Sequence, residues 1–310
     1  MTFGASRSWA KESPYERFFD FIAPDVDRFG MLAEHIDNLG LNAIAISIEG
    51  NRHIFIFPQG KNLNPSTGGT LPFRGQRPVV LTAHYDRVPG SPGANDNSAA
   101  VFQLLKAALR LGEQNIDNWM IIFTDKEELQ NGEGISEQGS FSLAKKLKGN
   151  GYANARIFNF DACGTGGFFV FSNTVNYLLK KNDRPGFYDA GQTIKYLREK
   201  VLETARSLRF NKALLVPIPF SDDAGFLQGG IPAQTITMLP AIEANAFASK
   251  LREHPGLADQ IIAGSLRNTA AYQLLPETWR CINGPSDSHL RLTPEYFDQV
   301  VRFAVELCKG

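Results

Sequence analysis

An apolar run in VVLTAHYD closes on a histidine with an aspartate two residues beyond it. A second aspartate follows in the Gly- and Pro-rich turn PGSPGANDNSAA. These residues, His84, Asp86 and Asp96, carry side chains that bind metal ions or move protons. Two more apolar runs end the same way: MIIFT leads into Asp125-Lys126-Glu127-Glu128, and IFNF leads into Asp161. In open α/β sheets, ligands bind outside the carboxyl ends of the strands. If the three runs are neighbouring strands, their terminal side chains share one cleft. Carboxylates gathered there raise each other's pKa, so a compensating cation is expected. Imidazole with carboxylate suits zinc, and a carboxylate shared between two ions suits a metal pair.

Each residue also has an ordinary role open to it. His84 could be a hydrogen-bonded structural histidine. Asp96 could cap the helix that follows, since Asn95, Asp96, Asn97 and Ser98 are all capping types. Glu127 and Glu128 could be a solvated pair, Asp161 a turn residue, and His289 in PSDSHLRL a loop histidine. All of these ordinary roles together require five coincidences at one edge of a sheet, which weighs towards one site.

The elements that must position these groups follow from hydrophobic periodicity. Residues 14 to 40 carry helical spacing. NAIAISIEGNRHIFIFPQ gives two β-rich runs around a turn, which predicts a hairpin. PVVLTA, WMIIFT, ARIFNF and PAQTITML are short apolar runs. They alternate with the amphipathic stretches NSAAVFQLLKAALRLG, SFSLAKKLKG and GQTIKYLREKVLETARSL. That alternation predicts an α/β fold of three layers, with a mixed, mostly parallel central sheet covered by helices on both faces. Helical stretches at about 241 to 254 and 257 to 275 come late, and a final helix over 294 to 308 opens at Thr293-Pro294. With no linker and no repeat, residues 1–310 are expected to form one domain, with a helical insertion at about 241–275.

The composition narrows the functional classes. Thirty-two basic residues balance thirty-two acidic ones, which gives no general attraction to nucleic acid or to an anionic membrane. No segment reaches the length of a membrane span. Cys163, Cys281 and Cys308 are odd in number and far apart, unlike a disulfide framework or a zinc-finger set. The first two dozen residues lack a signal-peptide apolar stretch, so a cytoplasmic protein is expected. Oligomeric state has no signature.

In order, AHYDRVPGSPGANDNSAAV, FTDKEEL, IFNFDACG and SDSHLRLTPEYFD resemble the zinc exopeptidases typified by bacterial leucyl aminopeptidase. Glutamate carboxypeptidase and glutaminyl cyclase belong to the same structural clan. The resemblance spans roughly residues 75 to 305, and its first two motifs are the specific ones. It implies a di-zinc centre, with cobalt or manganese as other occupants, acting on a peptide or aminoacyl substrate. On it, His84 and Asp161 bind one zinc, Glu128 and His289 bind the second, and Asp96 bridges the two. Asp86 orients the His84 imidazole, and Glu127 is the general base. The implied activity is that of an aminopeptidase. A single-zinc glutaminyl cyclase using Asp96, Glu128 and His289 stays open, as does a carboxypeptidase with Arg87 or Arg291 in a basic pocket. Asp223 in FSDDAGFLQGGIP stands where the family usually has histidine, and LQNGEGISEQGS is a long loop. The insertion is expected to form a lid or side wall, and Phe168, Phe169, Phe171 and Tyr177 either line a specificity pocket or belong to the core.

Overall fold

The computed structural model describes residues 13–61, 73, 77–180, 186–210, 213–263 and 269–309. Residues 1–12, part of the segment searched for a leader, lie outside them. The predicted hairpin is β1 (Asn42–Ile48) and β2 (Asn51–Phe57), paired antiparallel. Glu49 (φ 51°) and Gly50 (φ 89°) form its turn, and positive φ at both central positions matches the twist of a tight hairpin. The four predicted apolar runs are β3 (Val79–His84), β4 (Trp119–Thr124), β5 (Arg156–Phe160) and β8 (Ala233–Leu239). Two strands lie outside the expected set: β6 (Phe168–Ser172) and β7 (Ala213–Val216). Both are short, and uniformly apolar FFVF has no period that separates a strand from a buried helix turn.

The sheet order is β1-β2-β4-β3-β5-β8-β6-β7. Pairing is parallel from β4 through β3 and β5 to β8 and between β6 and β7. It is antiparallel at β1-β2, β2-β4 and β6-β8. The sheet is therefore mixed with a parallel centre, as expected. The parallel block sets β4, β3 and β5 side by side with their carboxyl ends together, and His84 pairs with Thr124 in register.

Helices α1 (Phe18–Phe21), α2 (Arg28–Asn38), α3 (Ala99–Glu113), α6 (Gly186–Ser207) and α11 (Phe297–Leu307) cover one face, where they bury Val79, Leu81 and Ala83 of β3 and Phe158 and Phe160 of β5. Helices α4 (Gly139–Gly149) and α7 (Asp222–Gly229) cover the other, over Val80, Met120, Ile122 and Ile157. Successive residues of one strand thus enter opposite layers, the period-two consequence of a sheet buried on both sides. Each such large apolar side chain contributes about 1.5–3 kcal/mol on full burial. Helix α5 (Thr174–Lys180) follows β6. Phe169 and Phe171 stack on Phe303, with ring centroids 4.7 and 5.7 Å apart, so these two aromatics belong to the core.

Helices α8 (Ala241–Glu253), α9 (Leu257–Ile262) and α10 (Glu277–Cys281) make up the late helical region and its exit. The predicted helix over 257 to 275 is interrupted. It is α9 followed by a 3-10 turn at Ala270–Leu274, and residues 264–268 lie outside the described residues. Ala244, Phe247, Leu257, Ile261 and Trp279 pack together against Val170, Val216 and Leu239, so the region is seated on the β6–β8 end of the sheet. The final helix begins with a 3-10 turn at Pro294–Tyr296. Thr293 makes no capping bond there; its hydroxyl instead accepts from Gly166 N and donates to Gly164 O. Among the described residues no helix is long and apolar enough to cross a membrane.

Gly166 is the tightest point of this junction. Its φ is +80°, and a Cβ would lie 2.2 Å from Leu239 C and from Pro240 N. Gly166→Ala is expected to lower stability by about 1–3 kcal/mol. By contrast Gly112, inside α3 with nothing within 4 Å of its would-be Cβ, should gain up to about 1 kcal/mol as alanine. Denaturant unfolding of the two variants beside the unaltered chain measures both signs.

Candidate metal centre

Three strand ends and one turn build the site. His84 is wholly buried at the end of β3. Its Nε2 lies 2.9 Å from Asp96 Oδ1 and 3.8 Å from Asp161 Oδ1, and its Nδ1 lies 3.4 Å from Asp86 Oδ1. Neither ring nitrogen has a well-angled hydrogen-bond partner. His84, Asp96 and Asp161 each offer a ligand atom, all within 4.8 Å of one another. One imidazole and two carboxylates, with an orphaned buried nitrogen aimed between them, form a donor set that fits zinc. Asp86 behind Nδ1 is the outer partner that fixes which ring nitrogen faces the ion.

Asp96 owes its position to the turn before it. Gly93 has φ +62°, and a Cβ there would meet Asp96 O at 2.8 Å and Arg28 Nη1 at 2.9 Å, so only glycine fits. The next residues, Ala94–Ser98, lead into α3 with a kink, Asp96 (φ −113°, ψ 88°) and Asn97 (φ −135°, ψ 28°) having non-helical backbone. No side chain caps either segment, so Asp96 is not the helix cap its type allowed. Asn97 donates to Phe160 O (2.8 Å) and accepts from Ala162 N (3.2 Å), while Asn95 accepts from Gly164 N (2.7 Å). The segment between β3 and α3 is therefore fastened to the loop that carries Asp161.

Glu127 and Glu128 follow β4, and Asp86 holds them. Its two carboxylate oxygens accept from Glu127 N (3.1 Å) and Glu128 N (3.0 Å). Gln138 donates to Glu127 O at 3.2 Å. Asp125 points elsewhere and accepts from Arg52 N in the hairpin.

The structure does not bring His289 into the group. It is exposed, and its ring meets Phe19 edge-on with centroids 5.3 Å apart. From the same loop it is Asp287 that reaches the site: its carboxylate accepts from Asn95 N (2.8 Å) and Asp96 N (3.1 Å). Asn283 also arrives. With its nitrogen turned towards the carboxylates it donates to Glu128 and to Asp96 Oδ2 (3.3 Å). Neither residue stood out in the sequence. Asn283-Gly284 reads as a turn, and Asp287 lies beside a histidine of more obvious metal-binding type. The two candidate carboxylate-binding arginines are committed to the protein: Arg87 donates to Ile22 O, Ala23 O and Pro92 O, and Arg291 pairs with Glu277.

The electrostatics are those of too many buried acids. Burial, then the charge of Asp96, pushes Glu128 up to about 9. Burial also raises Glu127 well above the carboxylate range, helped by Glu128 and Asp161, and raises Asp96, helped by Asp161. Asp287 rises to about 7 through burial and then Asp96. For His84 burial opposes protonation, but Asp161, Asp86 and Asp96 outweigh it and lift the pKa well above the usual value. A site that draws a proton onto a buried imidazole also draws a cation in its place. Asp86 goes the other way: burial disfavours its charge, yet His84 and the two N–H donors hold it below the ordinary range.

Comparisons with known proteins bear on the family and the fold. The sequence profile described as peptidase family M28 matches residues 66–273, more than half of the chain. The chain belongs to peptidase family M28. Among solved structures, this M28 chain resembles a glutaminyl cyclase from Bacteroides thetaiotaomicron bound to N-acetylhistamine. The TM-score is 0.64 and the identity 15%, over 97% of this chain and 98% of that one. A leucine aminopeptidase precursor from the same organism has TM-score 0.62 and 15% identity, over 97% of each chain. A zinc aminopeptidase from Bacillus subtilis has TM-score 0.51 and 19% identity, over 83% of this chain; the M28 chain spans only 49% of that protein's length. A comparison with curated proteins finds no match. Likeness at these identities carries the fold alone.

Asp222 and Asp223 of α7 are two further buried acids on this side of the sheet. Asp222 accepts from Thr124 Oγ1 (2.6 Å) and Asp223 from Ser221 N (3.1 Å). Burial raises Asp222 to about 6 and Asp223 to about 7. Unfolding would return Asp223 to an ordinary pKa near 3.8. Its contribution to stability is therefore full below about pH 4 and lost as pH rises through about 7. Asp223→Asn keeps the acceptor and removes this loss. The variant should gain stability relative to the unaltered protein on going from pH 5 to pH 8, a difference read by denaturant unfolding at the two pH values. Asp86→Ala should weaken metal binding by about 10–100-fold, read by chelator competition.

Proposed function

We propose that this chain is a zinc-dependent exopeptidase, specifically an aminopeptidase that hydrolyses the N-terminal bond of peptide or aminoacyl substrates with a di-zinc centre. One observation carries the reading: Asp86 ties the backbone of Glu127 and Glu128 to the imidazole of a buried His84–Asp96–Asp161 group. In that frame His84, Asp96 and Asp161 would hold one ion, and Glu128 with Asp96 would face the second. Bound zinc would supply Lewis-acid polarisation of the scissile carbonyl and a water acidified towards neutrality.

The chain's own residues do the rest. Glu127 accepts the proton lost by the attacking water and delivers it to the leaving amine. Its backbone is held by Asp86 and Gln138, so the carboxylate is positioned before substrate arrives. Glu128, one residue on, faces Asp96 across Asn283. Adjacent residues thus divide the work of base and ligand. Asp287 holds the backbone of Asn95 and Asp96 and keeps the shared carboxylate between the two positions. The peptidase and cyclase readings both draw on His289, which points to Phe19; what supports hydrolysis is the His84–Asp96–Asp161 group, most of which a single-zinc cyclase built on Asp96, Glu128 and His289 would leave without a role.

Glu127→Gln should keep its metal and lose about 10²–10⁴-fold in turnover. Elemental analysis, together with a panel of aminoacyl-chromophore and N-terminal glutaminyl substrates, measures this. Near-normal hydrolysis by the metal-replete variant would overturn Glu127 as the base, and cyclisation without hydrolysis in the unaltered protein would overturn the peptidase reading.

A further inference from the structure

The two oxygens of Asp96 face different ways. Oδ1 lies 2.9 Å from His84 Nε2, and Oδ2 lies 3.3 Å from the Asn283 carboxamide. The same carboxamide atom contacts both oxygens of Glu128, with Oε2 at 3.3 Å. Asp96 and Glu128 therefore converge on one point next to the His84 group, and a side-chain amide of Asn283 fills it. A carboxamide can turn either end to such a point. Its nitrogen donates to bare carboxylates, and its oxygen would face a cation held between them.

Asn283 is fixed there. Its φ is +62°, in the left-handed region that asparagine, aspartate and glycine adopt most easily. Its loop is tied down next door, where Ser91 Oγ donates to Gly284 O (3.1 Å) and Asp287 accepts from Asn95 N and Asp96 N. The histidine that could have reached this point, His289, is exposed against Phe19.

We infer that Asn283 is the third side-chain donor of a second cation position formed with Asp96 and Glu128, and that this position is made of oxygen donors alone. The two positions then differ in kind. His84 gives the first a nitrogen donor suited to zinc. The second offers two carboxylates and a carboxamide, the donors that suit manganese or magnesium, so zinc's advantage there is reduced and a hard ion exchanges into it. The inference rests on the metal-dependent reading above and names the ion class of its second position.

The test uses the full chain, stripped with chelator, reloaded with one equivalent of zinc and titrated with Mn²⁺, free Mn²⁺ being followed by electron paramagnetic resonance. The unaltered protein should take up one Mn²⁺ beyond its zinc. Asn283→Gly, which suits the backbone conformation, should weaken Mn²⁺ at least tenfold while zinc content holds. Asn283→Asp, which adds a charge at the same backbone conformation, should tighten Mn²⁺, and it carries the test if the glycine variant fails to fold. His289→Ala should leave the Mn²⁺ affinity within twofold. Absence of Mn²⁺ uptake by the zinc-loaded protein would overturn the inference, as would loss of uptake in His289→Ala with retention in Asn283→Gly. Hydrolysis is read in the same samples. Aminoacyl hydrolysis without Asn283 dependence refutes the second position alone; Asn283-dependent Mn²⁺ binding without hydrolysis refutes the aminopeptidase reading alone.

Discussion

The structure turns on mutual repulsion among buried carboxylates around one imidazole. Asp86, Asp96 and Asp161 all approach His84, Glu127 and Glu128 stand next to them, and Asp222 and Asp287 lie close enough to feel the same field. Arg28 is a buried cation beside this group. Burial lowers its pKa to about 9, and it faces Asp86, Asp96 and Asp287 together. One guanidinium cannot neutralise so many acids. Burial first, and then the neighbouring charges, raises most of these carboxyls, so protons relieve part of the repulsion. A divalent ion relieves it better, because it also satisfies His84 Nε2, which otherwise lacks a hydrogen-bond partner. The charge imbalance is thus a stored affinity for metal.

Holding such a set together requires the backbone to oppose the repulsion, and two aspartates organise it. Asp86 gathers the amides of Glu127 and Glu128, and Asp287 gathers those of Asn95 and Asp96. Each is a carboxylate satisfied by two N–H groups, which stabilises its own charge while it places a neighbour. Their electrostatic outcomes differ for a physical reason. Asp86 has His84 beside it and is held below the ordinary range; Asp287 has Asp96 beside it and is raised to about 7.

The residues that sequence marked are those at the ends of apolar runs. His84 ends β3, the Glu127-Glu128 pair follows β4 and Asp161 follows β5, so periodicity located them at strand ends, while their convergence hung on β4, β3 and β5 being neighbours, as they are. Asp96 was ambiguous because a turn before a helix calls for the same residue type whether it caps or ligates; its distance to His84 separates the two. The strands β6 and β7 escaped because they are brief and lack alternation. Asp223, marked by its departure from the family's usual histidine, proves to be a buried acid hydrogen-bonded to Ser221 N.

What stayed hidden comes from the chain's late loop, and the topology explains both why it is hidden and why it matters. Asn283 and Asp287 lie in a loop after α10 and act on residues far earlier in the chain. Their position depends on the late helical region. α8 packs on β6 and β7, Glu243 of α8 accepts from Thr278 of α10, and the loop after α10 then turns back over the Asp96 segment. A cavity of about 290 Å³ opens where they meet, bordered by Asn95, Glu243, Thr278 and Asp287. Helices α8 and α10 thus border this cavity, and the loop after α10 holds the backbone of Asn95 and Asp96. The cavity and the Asp96 segment both depend on this one late segment, so a change in the length or packing of α8–α10 reaches Asp96 through the loop after α10.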